Sequence, residues 1–173
     1  MLIRRSTDAD LDRIDVVHRA AFGEPGSSAE PIEVGLVRAL RADDGWVPQL
    51  SLVAIGAEGD VVGHVVCSEG HVQGGRAVGL GPIGVLPALQ GSGVGAALMH
   101  AVLGAADAMD YALVALLGHL DYYPRFGFVP AESLGVTAPD PSWGAHFQAR
   151  TLHAWTPDVT GTFRYAAPFD DLG

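Results

Sequence analysis

The run from Leu80 to Leu103, LGPIGVLPALQGSGVGAALMHAVL, constrains this chain more than any other stretch. It reads as an apolar strand, a turn punctuated by Pro87, a loop with three glycines in five residues (Gly91, Gly93, Gly95) and a helix. From Val94 the apolar residues recur at Ala97, Leu98, Ala101, Val102, Ala105 and Met109, a three-four spacing that places them on one helix face. The first helical turn therefore falls at Gly93 to Ala96. The leading N–H groups of a helix lack internal partners and carry the positive end of the macrodipole. The glycines let an anion approach the main chain without meeting a Cβ and permit positive φ. A phosphate or pyrophosphate suits such a cradle. In a chain with 23 glycines among 173 residues, an ordinary tight turn accounts for the same spacing, and on spacing alone the two readings stand level.

Three phosphate-binding patterns separate here. A P-loop requires Gly-Lys-Ser/Thr, which is absent. Gly91, Gly93 and Ala96 fit the dinucleotide pattern G-x-G-x-x-A, but that pattern should follow directly on the first strand of a doubly wound sheet. Here Leu86 to Gln90 intervene and about half the chain precedes the loop. The third pattern fits best: Gln90-Gly91-Ser92-Gly93-Val94-Gly95 resembles the Q/R-x-x-G-x-G/A loop of the GNAT N-acetyltransferase superfamily. Downstream, Tyr123 stands four residues before Gly127-Phe128 in DYYPRFGFVP, similar to the Tyr-x-x-x-Gly-Phe signature of many such enzymes. VVGHVVCS at Val61 to Ser68 resembles the family's third strand, and FQARTLHAW and GTFRYAAPF are similar to the closing strands of one broad bacterial branch.

The resemblance implies an α/β fold of the GNAT type: a central mixed, mostly antiparallel sheet with two splayed parallel strands and flanking helices, forming a single domain over residues 1–173. It implies acetyl-CoA as co-substrate, with no metal. The pantetheine arm would pair with main chain at Ile83, Gly84 and Val85, and the phosphates would sit on Gln90, Gly91, Ser92, Gly93, Val94, Gly95 and Ala96. Such a splayed strand leaves polar groups that a ligand with amides satisfies. The implied reaction is direct transfer of the acetyl group from the thioester to an amine, with Tyr123 protonating the departing thiolate and a main-chain N–H near Val85 polarising the carbonyl. Many relatives place a glutamate on the first splayed strand, but GLGPIGV offers no carboxylate. His64, Glu69, His71 and His119 are the candidate bases, His119 foremost because it ends the second splayed strand; a water chain would also serve. Relatives often carry Arg or Lys beside the first loop glycine; here Ser92 stands there, and Arg125 is the nearby cation that could assist. A non-catalytic acyl-CoA sensor of the same fold and, last, a dinucleotide-dependent oxidoreductase are the competing functions.

Composition narrows the setting. With 49% hydrophobic and 17% charged residues the chain suits a soluble globular protein, and no apolar stretch is long enough for a membrane span. A cytoplasmic location is expected. Formal charge is −10 with no Lys/Arg cluster, which argues against nucleic acid and is consistent with a cationic amine. The single cysteine, Cys67, lies in an apolar strand and is expected in the core.

In order, Met1 to Arg5 is expected as an edge strand, and Thr7 with Asp10 starts a helix that buries Leu11, Ile14, Val17 and Ala21. A loop to Ala29 leads to a second helix, Pro31 to Arg41, with Ile32, Leu36 and Leu40 inward. LSLVAIGA and VVGHVVCSEGHV form a hairpin around Glu58-Gly59-Asp60. YALVALL, apolar on both faces, belongs inside the sheet, parallel to the strand before the loop. The tail from Pro139, with Trp143, Phe147, Trp155, Phe163, Tyr165 and Phe169, is expected to pack on the sheet or wall the acceptor side, with a homodimer contact as a further use.

Overall fold

The computed structural model describes residues 1–172. Strands β1 (Leu2–Arg5), β2 (Trp46–Ile55), β3 (Val61–Gln73) and β4 (Gly75–Val85) form an antiparallel meander. After helix α3 (Val94–Ala108), strand β5 (Leu113–Leu117) returns parallel to β4. A helical crossover of that length is what a parallel pairing requires. The short β6 (Val129–Pro130) and β7 (Val136–Thr137) precede β8 (Phe147–Thr151), which covers the outer edge of β5. β9 (Thr160–Arg164) pairs with β7 and with the far end of β3, at His71 and Gln73.

Each sheet face is closed by elements whose apolar spacing matches their geometry. α3 buries Val94, Leu98, Met99, Val102, Leu103 and Ala106 against Val65, Cys67, Val78 and Leu80. The buried stripe includes Met99, Leu103 and Ala106, while Ala97, Ala101 and Ala105 of the expected face are only half-buried at its margin. On the opposite face, α1 (Leu11–Phe22) and α2 (Ile32–Ala42) place Ile14, Val17, Leu36, Val37 and Leu40 on Val53, Val61 and Val66. Fully burying one such side chain contributes about 1.5–3 kcal/mol. Cys67 is fully buried, and burial pushes its thiol pKa up, as befits a core residue.

Local chemistry sets the boundaries. The Asp10 carboxylate receives both Arg4 guanidinium nitrogens, at 2.7 and 2.8 Å, and accepts from the Thr7 N–H at 2.8 Å, so it ties β1 to the start of α1. The Arg4 guanidinium holds the Asp10 carboxyl well below the usual carboxylate range. The β2–β3 turn closes as expected, with Gly59 at φ 88° and Gly56 N–H donating to Asp60 C=O at 2.8 Å. The strand before the loop begins at Gly75 rather than Leu80, because Gly74 at φ 87° makes β3 and β4 a second hairpin. Ile32 is 61% exposed, not inward; Val34 and Val37 fill the α2 face instead.

Candidate functional site

β4 and β5 pair for only three residues, Ala77 to Gly79 against Leu113 to Ala115. β4 then continues to Val85 with no strand beside it on that side among the described residues, while Leu116 and Leu117 of β5 pair with β8. The strands part at a bulge: between Leu80 and Ile83 on β4, one residue more is spanned than between their partners Cys67 and Val65 on β3. Gly81-Pro82 supplies the extra residue, and proline, lacking an N–H, is tolerated at such a site. Leu86 N–H donates to Val62 C=O at 3.0 Å. The alternation of an antiparallel ladder then turns the main chain of Val85 and Ile83 toward the gap and that of Gly84 toward β3. The Val85 carbonyl accepts from the Gln90 side chain at 3.1 Å, which anchors the loop to the strand's end.

That loop delivers the N-terminus of α3 to the wide end of the gap. Gly91 and Gly93 have φ of 75° and 95°, and Gly93 is the N-cap in the left-handed region. The first intrahelical bond is Ala97 N–H to Gly93 C=O, so the amides of Val94, Gly95 and Ala96 precede the ladder and point outward from the helix start. Ser92 Oγ donates to Leu89 C=O at 2.6 Å. An anion at this end gains the amides and the helix field together.

The gap opens into a cleft of about 730 Å³ on the α1/α2 face. Leu80, Gly81, Pro82 and Ile83 line it from β4, Phe22, Ile32, Glu33 and Leu36 from the helices, and Trp143, Tyr165 and Phe169 from the C-terminal segment. Glu33, Asp140 and Asp170 stand on its wall against one guanidinium, Arg164. Tyr123 also lines it. Its ring lies where a Cβ on Gly118 would meet Cε2 at 2.2 Å, so glycine at 118 makes the seat. Burial and the adjacent Tyr122 push the Tyr123 phenol up to about 12. It is thus a proton donor throughout the neutral range. Tyr122 points elsewhere: its hydroxyl would stand 3.2 Å from a Cβ on Gly95, in the first turn of α3.

The candidate bases fall in different places. His64 is fully buried, with Nδ1 2.8 Å from His18 Nε2 and Nε2 3.0 Å from Ser51 Oγ. It is committed to a core network, so it does not face the cleft. Glu69 accepts from the Tyr111 hydroxyl and from Arg76 at 3.3 Å, at the paired end of β4 and β5. His71 is exposed in a separate surface hollow. His119 is exposed beyond β5 and is not among the cleft-lining residues; its carbonyl accepts from Tyr122 N–H at 3.3 Å, which shapes the turn carrying Tyr123. Arg125 spends its guanidinium on the carbonyls of Tyr122 and Asp121, at 2.9 and 3.2 Å. Gly79, Glu33, Asp140 and Asp170 carry no signal in the sequence, and Tyr165 stands out there only as one aromatic of the C-terminal segment.

A mixed sheet whose parallel strands part beside a glycine-loop helix start defines an acyl-CoA-dependent transferase fold. Residues 17–128 match the acetyltransferase (GNAT) family, and the chain belongs to it. It is 36% identical to the uncharacterized N-acetyltransferase YjhQ of Escherichia coli strain K12, over 95% of this chain and 91% of that protein. It is 33% identical to the uncharacterized N-acetyltransferase YhbS of the same strain, over 98% and 99%. The crystal structure of E. coli YhbS in complex with CoA superposes with a TM-score of 0.87 at 32% identity, covering 99% of this chain and 93% of that one. A GNAT family acetyltransferase from Brucella melitensis in complex with acetyl-CoA gives 0.76 at 35% identity, covering 98% and 97%. Among the described residues no helix is long and apolar enough to cross a membrane.

Proposed function

We propose that residues 1–173 form one acetyltransferase domain that moves the acetyl group of acetyl-CoA directly to an amine in a ternary complex. The observation that carries this reading is the parting of β4 from β5 after Gly79, with its wide end at the first turn of α3. The amides of Val94, Gly95 and Ala96, with the Gly91 to Gly93 loop, hold the pyrophosphate. Main chain of Ile83 and the Val85 N–H pair with the pantetheine amides. Complexes of the relatives with CoA and acetyl-CoA support the same donor.

The amine enters from the α1/α2 face, where three carboxylates face one guanidinium and favour a cation. Its nitrogen, after giving up its ammonium proton to water, attacks the acetyl carbonyl, and the departing thiolate takes a proton from Tyr123, a step that general acids typically accelerate about 10²–10⁴-fold. No carboxylate projects from the splayed part of β4, and the amine proton passes to water that reaches the open cleft.

Thermal melts test the donor. Saturating acetyl-CoA raises the midpoint, since a ligand at about a hundred times its dissociation constant adds roughly 2.7 kcal/mol, whereas NAD⁺ and NADP⁺ leave it unchanged. Thiol release from acetyl-CoA across a panel of primary amines then tests turnover. Stabilisation by a nicotinamide cofactor in place of acetyl-CoA would overturn the proposal.

A further inference from the structure

Resting on that reading, we infer that Tyr165 is a second catalytic phenol, whose hydroxyl donates a hydrogen bond to the carbonyl oxygen of the bound acetyl group. Tyr165 follows β9, far in sequence from the loop and from Tyr123, yet its ring lies against β4 at the residue where the strands part. A Cβ on Gly79 would meet Tyr165 Cδ1 at 2.4 Å and Cε1 at 2.6 Å, so the missing side chain at 79 is the slot the ring occupies. Gly118 makes the same kind of slot for Tyr123 on the other side. Tyr165 is thus seated on β4 where the pairing ends, and Tyr123 just beyond the end of β5.

The Tyr165 ring lines the cleft, while its oxygen is covered and has no hydrogen-bond partner among the described residues, so an acyl group reaches it only by displacing the side chains that cover it. A buried hydroxyl without a partner is unfavourable, and its persistence at a ligand-binding gap points to a partner brought by the ligand. The ring is held in place by Phe169 at 4.5 Å, Phe163 at 4.8 Å and Trp143 at 6.2 Å between centroids. Burial, then the neighbouring Cys67 and Tyr123, push its pKa up, which keeps it a proton donor. An arm anchored at the α3 end and running along Val85 and Ile83 brings its acyl terminus to this place. The acetyl carbonyl is the acceptor-only group there.

During transfer the amine lone pair forms the C–N bond and the carbonyl electrons move to oxygen, where the Tyr165 O–H donates and stays intact. Collapse breaks the C–S bond, the thiolate takes the Tyr123 proton, and the nitrogen loses one proton to water, which returns it to Tyr123.

The test is calorimetric titration of acetyl-CoA and of CoA into wild type, Tyr165→Phe and Tyr123→Phe. Wild type is expected to prefer acetyl-CoA by about tenfold, the equivalent of one hydrogen bond. Tyr165→Phe brings the two affinities to within about twofold, while Tyr123→Phe keeps the preference. Tyr165→Phe also melts at or above wild type without ligand, because it removes an unpartnered hydroxyl. An unchanged preference in Tyr165→Phe, or none in wild type, overturns the inference and leaves acetyl-CoA binding intact. Failure of all three proteins to bind either ligand overturns it together with the proposed function.

Discussion

Acidification from pH 7 to 4.5 should destabilise this protein through a pair of histidines that no solvent reaches. His18 and His64 are fully buried and share a 2.8 Å contact, continued from His64 to Ser51 and from Ser51 to Ser6 at 2.7 Å. Neutral rings satisfy that chain with one proton per contact; a second proton on either places an unpaired charge in the core. Burial lowers His18 from 6.5 to about 4 and holds His64 well below its ordinary value, with His18 adding to the effect. Because the folded pKa is depressed, the unfolded chain binds protons first. Stability is complete above about pH 6.5 and falls as pH drops toward 4. For His18 alone a shift of that size, at about 1.4 kcal/mol per unit, amounts to about 3 kcal/mol. His64 acts in the same direction. In a domain of this length about 3 kcal/mol corresponds to a midpoint lower by about 6–12 °C. Circular dichroism melts between pH 7.5 and 4.5 read this directly, with His18→Phe expected to flatten the slope. Asp10 cannot mimic the effect, since its loss begins only below the ordinary aspartate value near 3.8. Flat midpoints between pH 6.5 and 4.5, or an NMR titration of His18 centred near 6.5, would refute the reasoning.

Further expectations follow from individual contacts. Gly79→Ala forces the Tyr165 ring from its slot and should cost about 1–3 kcal/mol in urea denaturation, the usual range for an overpacked core; an unaffected denaturation midpoint would mean the ring yields freely. Gly93→Ala meets no atom within 4 Å but must hold φ 95°, so a loss of about 1–2 kcal/mol is expected from backbone strain alone, together with weaker acetyl-CoA binding. Tyr123→Phe should lower turnover about 10²-fold or more while leaving the dissociation constant for acetyl-CoA nearly unchanged, measured by steady-state thiol release and by titration. Equal turnover would remove Tyr123 from the chemistry.

The legible parts of this molecule are those encoded in short windows. The Gly91-Ser92-Gly93 loop and the α3 stripe announce themselves because φ and helical period are local properties, and both are found where expected. β5 reads as interior because Leu113 to Leu116 are apolar on both faces, and they are buried. What sequence did not disclose arises from convergence. His64 looked available for proton transfer because nothing near it in the chain hints at His18, 46 residues earlier. Ile32 fits the inward stripe of α2 by spacing, yet it lies at the cleft, a boundary that only the C-terminal segment defines. Gly79 is one glycine among many until the Tyr165 ring is found against it.

The position of β8 has a consequence for biosynthesis. β5 emerges from the ribosome well before β8, and until then its outer edge carries main-chain groups that nothing in the chain already made can pair. An uncovered, apolar strand edge invites pairing with another nascent copy. The closing strand therefore acts as a guard on the central one. Chaperone demand should be greatest for chains arrested between the two strands, before that guard is in place.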